Sequence, residues 1–188
     1  MSKYEIFADE AWTHNSPPLR RYHYFFGGIF GTQSHLDNLD TQLRQAITAS
    51  GRNQEVKWQN LTPANLGFYK AFAEYLFDAI RENRATYRQM FCDRSIVRVG
   101  VVQDANQSEI DVQFKLYYQF LKHSFGIKHL PTEPAEILVR LDGHSSQKHK
   151  IKLTNHIEGL PSVLQRQDLK IRLTFEQRKF TVRESRLK

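Results

Sequence analysis

The sequence has a single cysteine, Cys92, among its 188 residues, so no internal disulfide can form. One cysteine is typical of a reducing compartment, and we expect the protein to be cytoplasmic. No apolar run approaches the roughly 18 residues that a membrane-spanning helix requires. The opening residues MSKYEIFADE carry acids and resemble a strand, not a signal peptide. We therefore expect no contact with membranes.

Several signatures of common enzyme classes are also missing. The chain has no Walker loop, no dinucleotide-binding glycine motif, no Cys-x-x-Cys pair and no Gly-x-Ser-x-Gly elbow. Cys92 has no histidine or cysteine at a metal-ligating spacing, which predicts a small core residue. The absence of these motifs argues against nucleotide-binding, thiol-redox and serine-hydrolase chemistry.

Hydrophobic residues make up 40% of the chain and charged residues 25%, which is typical of a globular protein. The length predicts one domain over residues 1–188. Residues 143–188 contain 11 of the 27 basic residues but only four of the 20 acidic ones, and thus the whole net charge of +7. This asymmetry indicates an anionic partner, usually nucleic acid, although a solvated basic surface has the same composition. The candidate contacts are Lys170, Arg172, Arg178 and Lys179.

Hydrophobic periodicity predicts the order β-β-α-β-α-β-β-α-β-α-β, and hence an α/β fold with a mixed sheet flanked by helices. The first two strands are expected to pair antiparallel across a short arm. The predicted strands are Lys3–Ala8, Tyr22–Phe30, Glu55–Trp58, Ala85–Cys92, Ile96–Val102, Glu136–Leu141, Leu169–Phe175 and Thr181–Val182. The predicted helices are His35–Ser50, Thr62 to about Glu82, Ser108–Phe125 and Gln147–Gln165.

Acidic residues follow two of the predicted strands. The first strand ends at Asp9 and Glu10, and the strongest internal strand ends at Asp142; Glu55 lies in a short extended piece. Ligands gather at the carboxyl ends of strands in α/β sheets, and grouped carboxylates favour a hard cation such as Mg²⁺ or Mn²⁺. Two such ions can activate a water and clamp a phosphodiester, with Lys57 orienting a phosphate. Each acid alone could also be an ordinary exposed carboxylate, and Glu10 could point away from Asp9 by strand alternation.

These motifs, in this order, resemble a bacterial and phage family catalogued as domain of unknown function thirty-eight-hundred. The family opens with Tyr-x-Asp-Glu-Ser-Gly, here Phe-Ala-Asp9-Glu10-Ala11. An aromatic strand, a helix and a Glu-x-Lys-[Trp/Phe] element follow, here Tyr22–Gly28, then Glu55-Val-Lys57-Trp58. A later strand ends in Asp, here Leu138–Asp142. The match extends over most of the chain.

The resemblance implies a ribonuclease-H-like fold with Asp9, Glu55 and Asp142 as catalytic and metal-binding residues, supported by Glu10 and Lys57. The Ser-Gly of the family is replaced by Ala11-Trp12. We expect the domain to lack the family's last helix, with its Ala-Asp-Leu acid, since the sequence ends at Lys188, about where that helix would begin. The sequence would then be a fragment, a natural truncation, or a family member that works without the helix. We therefore expect a weakly held metal, and a second copy of the chain covering the apolar face that the helix would otherwise cover.

Two hypotheses remain open from the sequence. The first is a metal-dependent nuclease-like domain that cleaves RNA or DNA phosphodiesters. The second is a non-catalytic module on the same scaffold that binds nucleic acid or protein through its basic end. Among the later acids, Glu158 is expected to point outward beside a helix break, and Glu176 and Glu184 to pair with nearby basic residues. None of the three is expected to complete the site.

Overall fold

The computed structural model describes residues 1–14, 22–51, 56–93, 109–142 and 147–176. Five strands form one mixed sheet in the order β3-β2-β1-β4-β5. Strands β1, β2 and β3 are antiparallel neighbours, whereas β4 and β5 run parallel to β1. The strands are β1 (Ser2–His14), β2 (Tyr22–Thr32), β3 (Thr86–Asp93), β4 (Ala135–Asp142) and β5 (Leu169–Glu176). The predicted α/β, ribonuclease-H-like sheet is thus confirmed.

Helices lie on both sides of this sheet. Short 3-10 turns occur at Trp58–Asn60, Pro63–Asn65 and Ile127–His129. The α-helices are α1 (Gln33–Ala49), α2 (Leu66–Arg81), α3 (Glu109–Ser124), α4 (Gln147–Glu158) and α5 (Leu160–Val163). No helix in the described ranges is long and apolar enough to cross a bilayer.

The larger core lies between one face of the sheet and helices α3 to α5. Strand alternation places the side chains of Ile6 and Ala8 on this face, together with the apolar positions of β4 and β5. Phe120 and Leu121 of α3 are fully buried against them. We call this side of the sheet the core face.

The opposite side of the sheet, which we call the open face, is only partly covered. Helix α1 packs Leu36 and Leu39 there against Phe7 and Ile29, and α2 packs on α1. Thr32 caps α1 by accepting a hydrogen bond from the His35 amide. Among the described residues, the remainder of the open face lies at the carboxyl end of β1, across β4 and β5, and around Phe25 of β2 and Phe91 of β3.

Three predicted boundaries need correction. Strand β1 does not end at Ala8, because pairing with β2 carries it on to His14. Residues 56–60 do not form a strand: a 3-10 turn begins at Trp58. The predicted Gln147–Gln165 helix is broken at Gly159. The predicted strands Ile96–Val102 and Thr181–Val182 lie outside the described residues.

Buried Arg166 fixes the loop that leads into β4. Its guanidinium donates hydrogen bonds to the carbonyl oxygens of Lys128, Leu130 and Pro131 and to both carboxylate oxygens of Asp168. The hydrogen bond from Arg166 lowers the pKa of the Asp168 carboxyl. The loop before β4 is thereby tied to the start of β5, which aligns the two strands from their first residues.

Edge strand β5 has a further tie to α4. The Leu173 amide donates a hydrogen bond to Oε1 of Glu158, the last residue of α4. Glu158 itself is exposed, as expected beside a helix break. Its carboxylate nevertheless contacts the backbone of the strand.

Close packing at Gly28 gives the first testable prediction. A Cβ atom there would lie 2.8 Å from Cζ of Phe125 and 2.9 Å from the carbonyl oxygen of Phe7. We expect Gly28→Ala to lower the free energy of unfolding by about 1–3 kcal/mol, because the backbone of β1 cannot move aside. Gly67→Ala is the matched control, since a Cβ there meets nothing within 4 Å. Urea denaturation measures both, and a Gly28→Ala protein as stable as Gly67→Ala would contradict this packing.

Candidate functional site

Three acidic residues share one row of the sheet at the carboxyl ends of its parallel strands. The β1–β4 ladder runs to Ala8 opposite Leu141, so Asp9 and Asp142 are the next residues on adjacent strands. In the β4–β5 ladder, Asp142 pairs with Glu176. Adjacent strands lie about 4.8 Å apart, so the backbone brings the three positions within roughly 10 Å. We call Asp9, Asp142 and Glu176 the acid row.

Asp9 is exposed on the open face of the sheet. Its Oδ1 accepts a hydrogen bond of 2.9 Å from the amide of Glu10, which orients the carboxylate. Strand alternation places positions 142 and 176 on the same face as Arg140 and Thr174, which is also the face of Asp9. The backbone therefore places all three positions on the open face of the sheet.

Glu10 lies on the other side of the sheet from Asp9. Its Oε2 accepts a hydrogen bond from the hydroxyl of Tyr117, a buried residue of α3. This contact connects β1 to α3 on the core face. Any support that Glu10 gives to Asp9 therefore acts through the backbone of β1.

Glu176 is the residue that sequence reasoning set aside, on the expectation that nearby basic residues would pair with it. Register places it beside Asp142 at the end of β5. A signal was present in the sequence: the segments 135–142 and 169–176 have equal length, and both end in an acid. Aligning them as neighbouring parallel strands would have brought the two acids together.

The remaining predicted site residues belong to the segment before α2. Glu55 lies outside the described residues. Lys57 is exposed, and its carbonyl oxygen accepts a hydrogen bond of 2.6 Å from the hydroxyl of Tyr69 in α2. The backbone at Lys57 is thus attached to the α1–α2 layer. Among the side chains that the structure describes, no group of three or more His, Cys, Asp or Glu residues could hold a metal ion.

An ion pair with a buried carboxylate lies two to four residues before the acid row. Glu5 of β1 is 2% exposed, and its Oε1 lies 3.0 Å from a guanidinium nitrogen of Arg140 on β4. The Arg140 guanidinium also lies over the ring of Phe7, 5.5 Å from its centroid. Glu5 is opposite Leu138 in the ladder, so the pair runs diagonally between the strands. The pair therefore favours the register that places Asp9 beside Asp142.

The open face of β4 and β5 is charged. Exposed Lys170 and Arg172 project there, and Nε of Arg172 lies 3.0 Å from Oε1 of Glu136. Of the other predicted nucleic-acid contacts, Arg178 and Lys179 lie outside the described residues. The expectation that a second copy covers an apolar face stays a prediction, since nothing in the described residues locates the face that the family's last helix would cover.

No protein-family model matches the chain, and a comparison with curated proteins found no match either. The motif resemblance described above therefore depends on the quoted residues alone. The fold and the register provide the geometry against which a function can be argued.

The Glu5–Arg140 pair gives the second prediction. Arg140→Met should lower the free energy of unfolding by about 3 kcal/mol, because it leaves a buried carboxylate without its cation. The double variant Glu5→Leu with Arg140→Met should recover most of this loss, since no buried charge remains. A double-mutant cycle by urea denaturation measures the coupling.

Arg172→Met is the control for that experiment. It removes a similar ion pair with Glu136, but the Arg172 side chain is 55% exposed. We expect a change of less than about 1 kcal/mol, as for other surface pairs. Equal losses for Arg140→Met and Arg172→Met would show that the first pair does not hold the strands in register.

Proposed function

We propose that the protein is a metal-dependent nuclease-like enzyme that hydrolyses phosphodiester bonds in nucleic acid. The observation that carries the proposal is the acid row, with Asp9 and Asp142 adjacent at the carboxyl ends of parallel strands. Support also comes from the ribonuclease-H-like strand order and from the motif resemblance to the thirty-eight-hundred family. The single cysteine favours a cytoplasmic setting.

The residues at this end of the sheet fit a hard divalent cation. Carboxylate oxygens are the ligands that Mg²⁺ and Mn²⁺ prefer, and exposed Asp9 is accessible to solvent and substrate. Asp9, Asp142 and Glu176 would hold the ion, with Glu55 a further candidate. When bound, the metal would supply an activated water and neutralise charge on the phosphate.

The protein's own groups have distinct roles in this proposal. The Glu10 amide holds the Asp9 carboxylate in one orientation, which reduces the reorganisation needed when substrate arrives. Arg140 places positive charge one step from the acid row, and Lys170 and Arg172 extend it across β5. These cations would attract the phosphate backbone and position it at the acids. Lys57 is proposed as an additional phosphate contact.

A second candidate function is nucleic-acid binding without cleavage. The observation that favours it is the exposed pair of Lys170 and Arg172 on the open face of the sheet. Binding of this kind needs no metal and would survive loss of the acids. The two functions are separated by the behaviour of Asp9 variants.

Replacement of Asp9 tests the enzymatic proposal. Outer-shell substitutions at metal sites typically cost 10- to 100-fold in activity, so loss of a ligand should cost more. We expect Asp9→Asn to reduce Mn²⁺-dependent cleavage of a labelled oligonucleotide by more than about 100-fold. The measurement is the initial rate on denaturing gels, with EDTA as the metal-free control.

Asp37→Asn is the matched variant for this assay, because it removes one exposed carboxylate on α1, away from the acid row. It should cleave at the wild-type rate. Cleavage that is lost in neither variant would place the active site elsewhere. A wild-type protein that binds oligonucleotides but never cleaves them would favour the second candidate function.

The basic end of the chain gives a separate prediction. Neutralising Lys170, Arg172, Arg178 and Lys179 together should flatten the dependence of oligonucleotide affinity on salt concentration. Each lost phosphate contact lowers the log–log slope by about 0.7 for a single strand. Fluorescence anisotropy over a salt series measures this slope. An unchanged slope would show that the phosphate contacts lie elsewhere.

A further inference from the structure

The open face changes character on the far side of the acid row, where β2 and β3 carry exposed aromatic rings. Phe25 is 40% exposed, Tyr87 48% and Phe91 56%. All three lie on the same face, because Phe25 is opposite Phe91 and Tyr87 is opposite Ile29, whose side chain packs on the α1 side of the sheet. We call Phe25, Tyr87 and Phe91 the aromatic surface.

Two rings of this surface contact each other, and the third reaches toward the neighbour of Asp9. The centroids of Phe25 and Phe91 are 4.9 Å apart, with 50° between the ring planes. The Tyr87 hydroxyl lies 3.3 Å from the point that a Cβ on Gly27 would occupy. Gly27 is directly opposite Asp9 in the β1–β2 ladder. The missing side chain at Gly27 therefore lets the Tyr87 ring extend across β2 to the neighbour of the acid row.

A polar group lies within this aromatic surface. Gln89 is exposed between Tyr87 and Phe91 on β3, and its Oε1 lies 3.4 Å from the Tyr87 hydroxyl. Gln89 is also aligned with the acid row across the sheet, because it pairs with Gly27, and Gly27 pairs with Asp9. An amide beside aromatic rings can donate to or accept from the edge of a base.

A single exposed aromatic residue on a protein surface needs no explanation. Here three rings on adjacent strands continue into a line of carboxylates, and cations follow on β4 and β5. Apolar protein partners would not require the charged half of this surface. A nucleic-acid strand would use both halves, because its bases stack on aromatic rings and its phosphates bind cations.

We propose that the aromatic surface binds unpaired bases of a single-stranded nucleic acid whose backbone continues to the acid row. The assignment to a substrate rests on the proposed function, but the binding does not. Bases within a duplex are stacked on one another and cannot reach these rings, so the surface selects single strands. Strands β3 and β1 are roughly 10 Å apart, which is the length of about three stacked bases.

The experiment measures binding by the full-length chain in EDTA, so that cleavage plays no part. The probes are fluorescein-labelled oligodeoxythymidylate and oligouridylate of about 12 nucleotides, within the site size of single-strand-binding surfaces. An abasic deoxyribose-phosphate chain of equal length reports the charge contribution alone. A blunt hairpin duplex reports binding to paired bases.

Phe91→Ala and Tyr87→Ala should each weaken binding of the single strands by roughly 5- to 150-fold, the range expected for loss of one stacked base. Binding of the abasic chain should not change. Phe91→Trp should retain the affinity of the wild type, because it preserves a stacking ring. Phe77→Ala is the matched control: Phe77 is 67% exposed on α2, outside the sheet, and should have no effect.

Several results would overturn the proposal. They are a wild-type protein that binds no single strand, equal weakening for the base-containing and abasic chains, or tighter binding of the hairpin duplex. Phe91→Ala could instead leave base binding intact and convert a dimer to a monomer in sedimentation; the surface would then be an interface between two copies of the chain. Thermal unfolding of each variant separates these results from a loss of fold.

Failure of the proposed function would look different. If Asp9→Asn leaves cleavage unchanged, or if no cleavage occurs, the base-dependent binding in EDTA can still be lost in Phe91→Ala. The aromatic surface would then serve a binding module. If cleavage depends on Asp9 but binding is insensitive to the aromatic variants, the enzyme proposal stands and the proposal that the aromatic surface binds bases is wrong.

Discussion

The buried carboxylate of Glu5 is the constraint on which the arrangement of the sheet depends. A charge removed from water in a central strand is costly unless a cation meets it, and Arg140 of β4 supplies that cation. Because the pair is diagonal, it favours the observed alignment of β1 with β4. Shifting the strands by one residue would move every side chain of β1 to the wrong face. The alignment of Asp9 with Asp142 follows from this requirement.

The two faces of the sheet have different roles: one packs against helices, and the other carries the acid row. The core face is apolar along β1, β4 and β5 and packs against α3 to α5. Near the carboxyl end of β1, Glu10 accepts a hydrogen bond from Tyr117 on this face. On the open face, the described residues cover the part beneath α1. Asp9 and Glu10 are neighbours in sequence but serve opposite faces, so one strand contributes to both the packing and the acid row. The packing of the core therefore does not require the acid row to be covered.

Much of the fold could be predicted from local patterns, and the unpredicted part depends on pairing between distant segments. The run of apolar residues in EILVRLD indicates β4, and the spacing of Leu36, Leu39 and Leu43 indicates α1. Residues 56–60 look extended because Val56 and Trp58 favour strands, yet the Tyr69 hydroxyl bonds the Lys57 carbonyl and a 3-10 turn forms. The place of Glu176 depends on the register of β5 against β4, which appears only when the two distant segments are compared and not in either segment alone.

The hydrogen bond between Glu158 and the Leu173 amide has a consequence for the growth of the sheet. Edge strands expose unpaired amides that can template another strand and so begin aggregation. At β5, one such amide is already bonded to a carboxylate, and the negative charge would repel an incoming carbonyl oxygen. The positive charges of Lys170 and Arg172 on the same strand further disfavour pairing with another strand. Strand addition along the described part of β5 is therefore disfavoured.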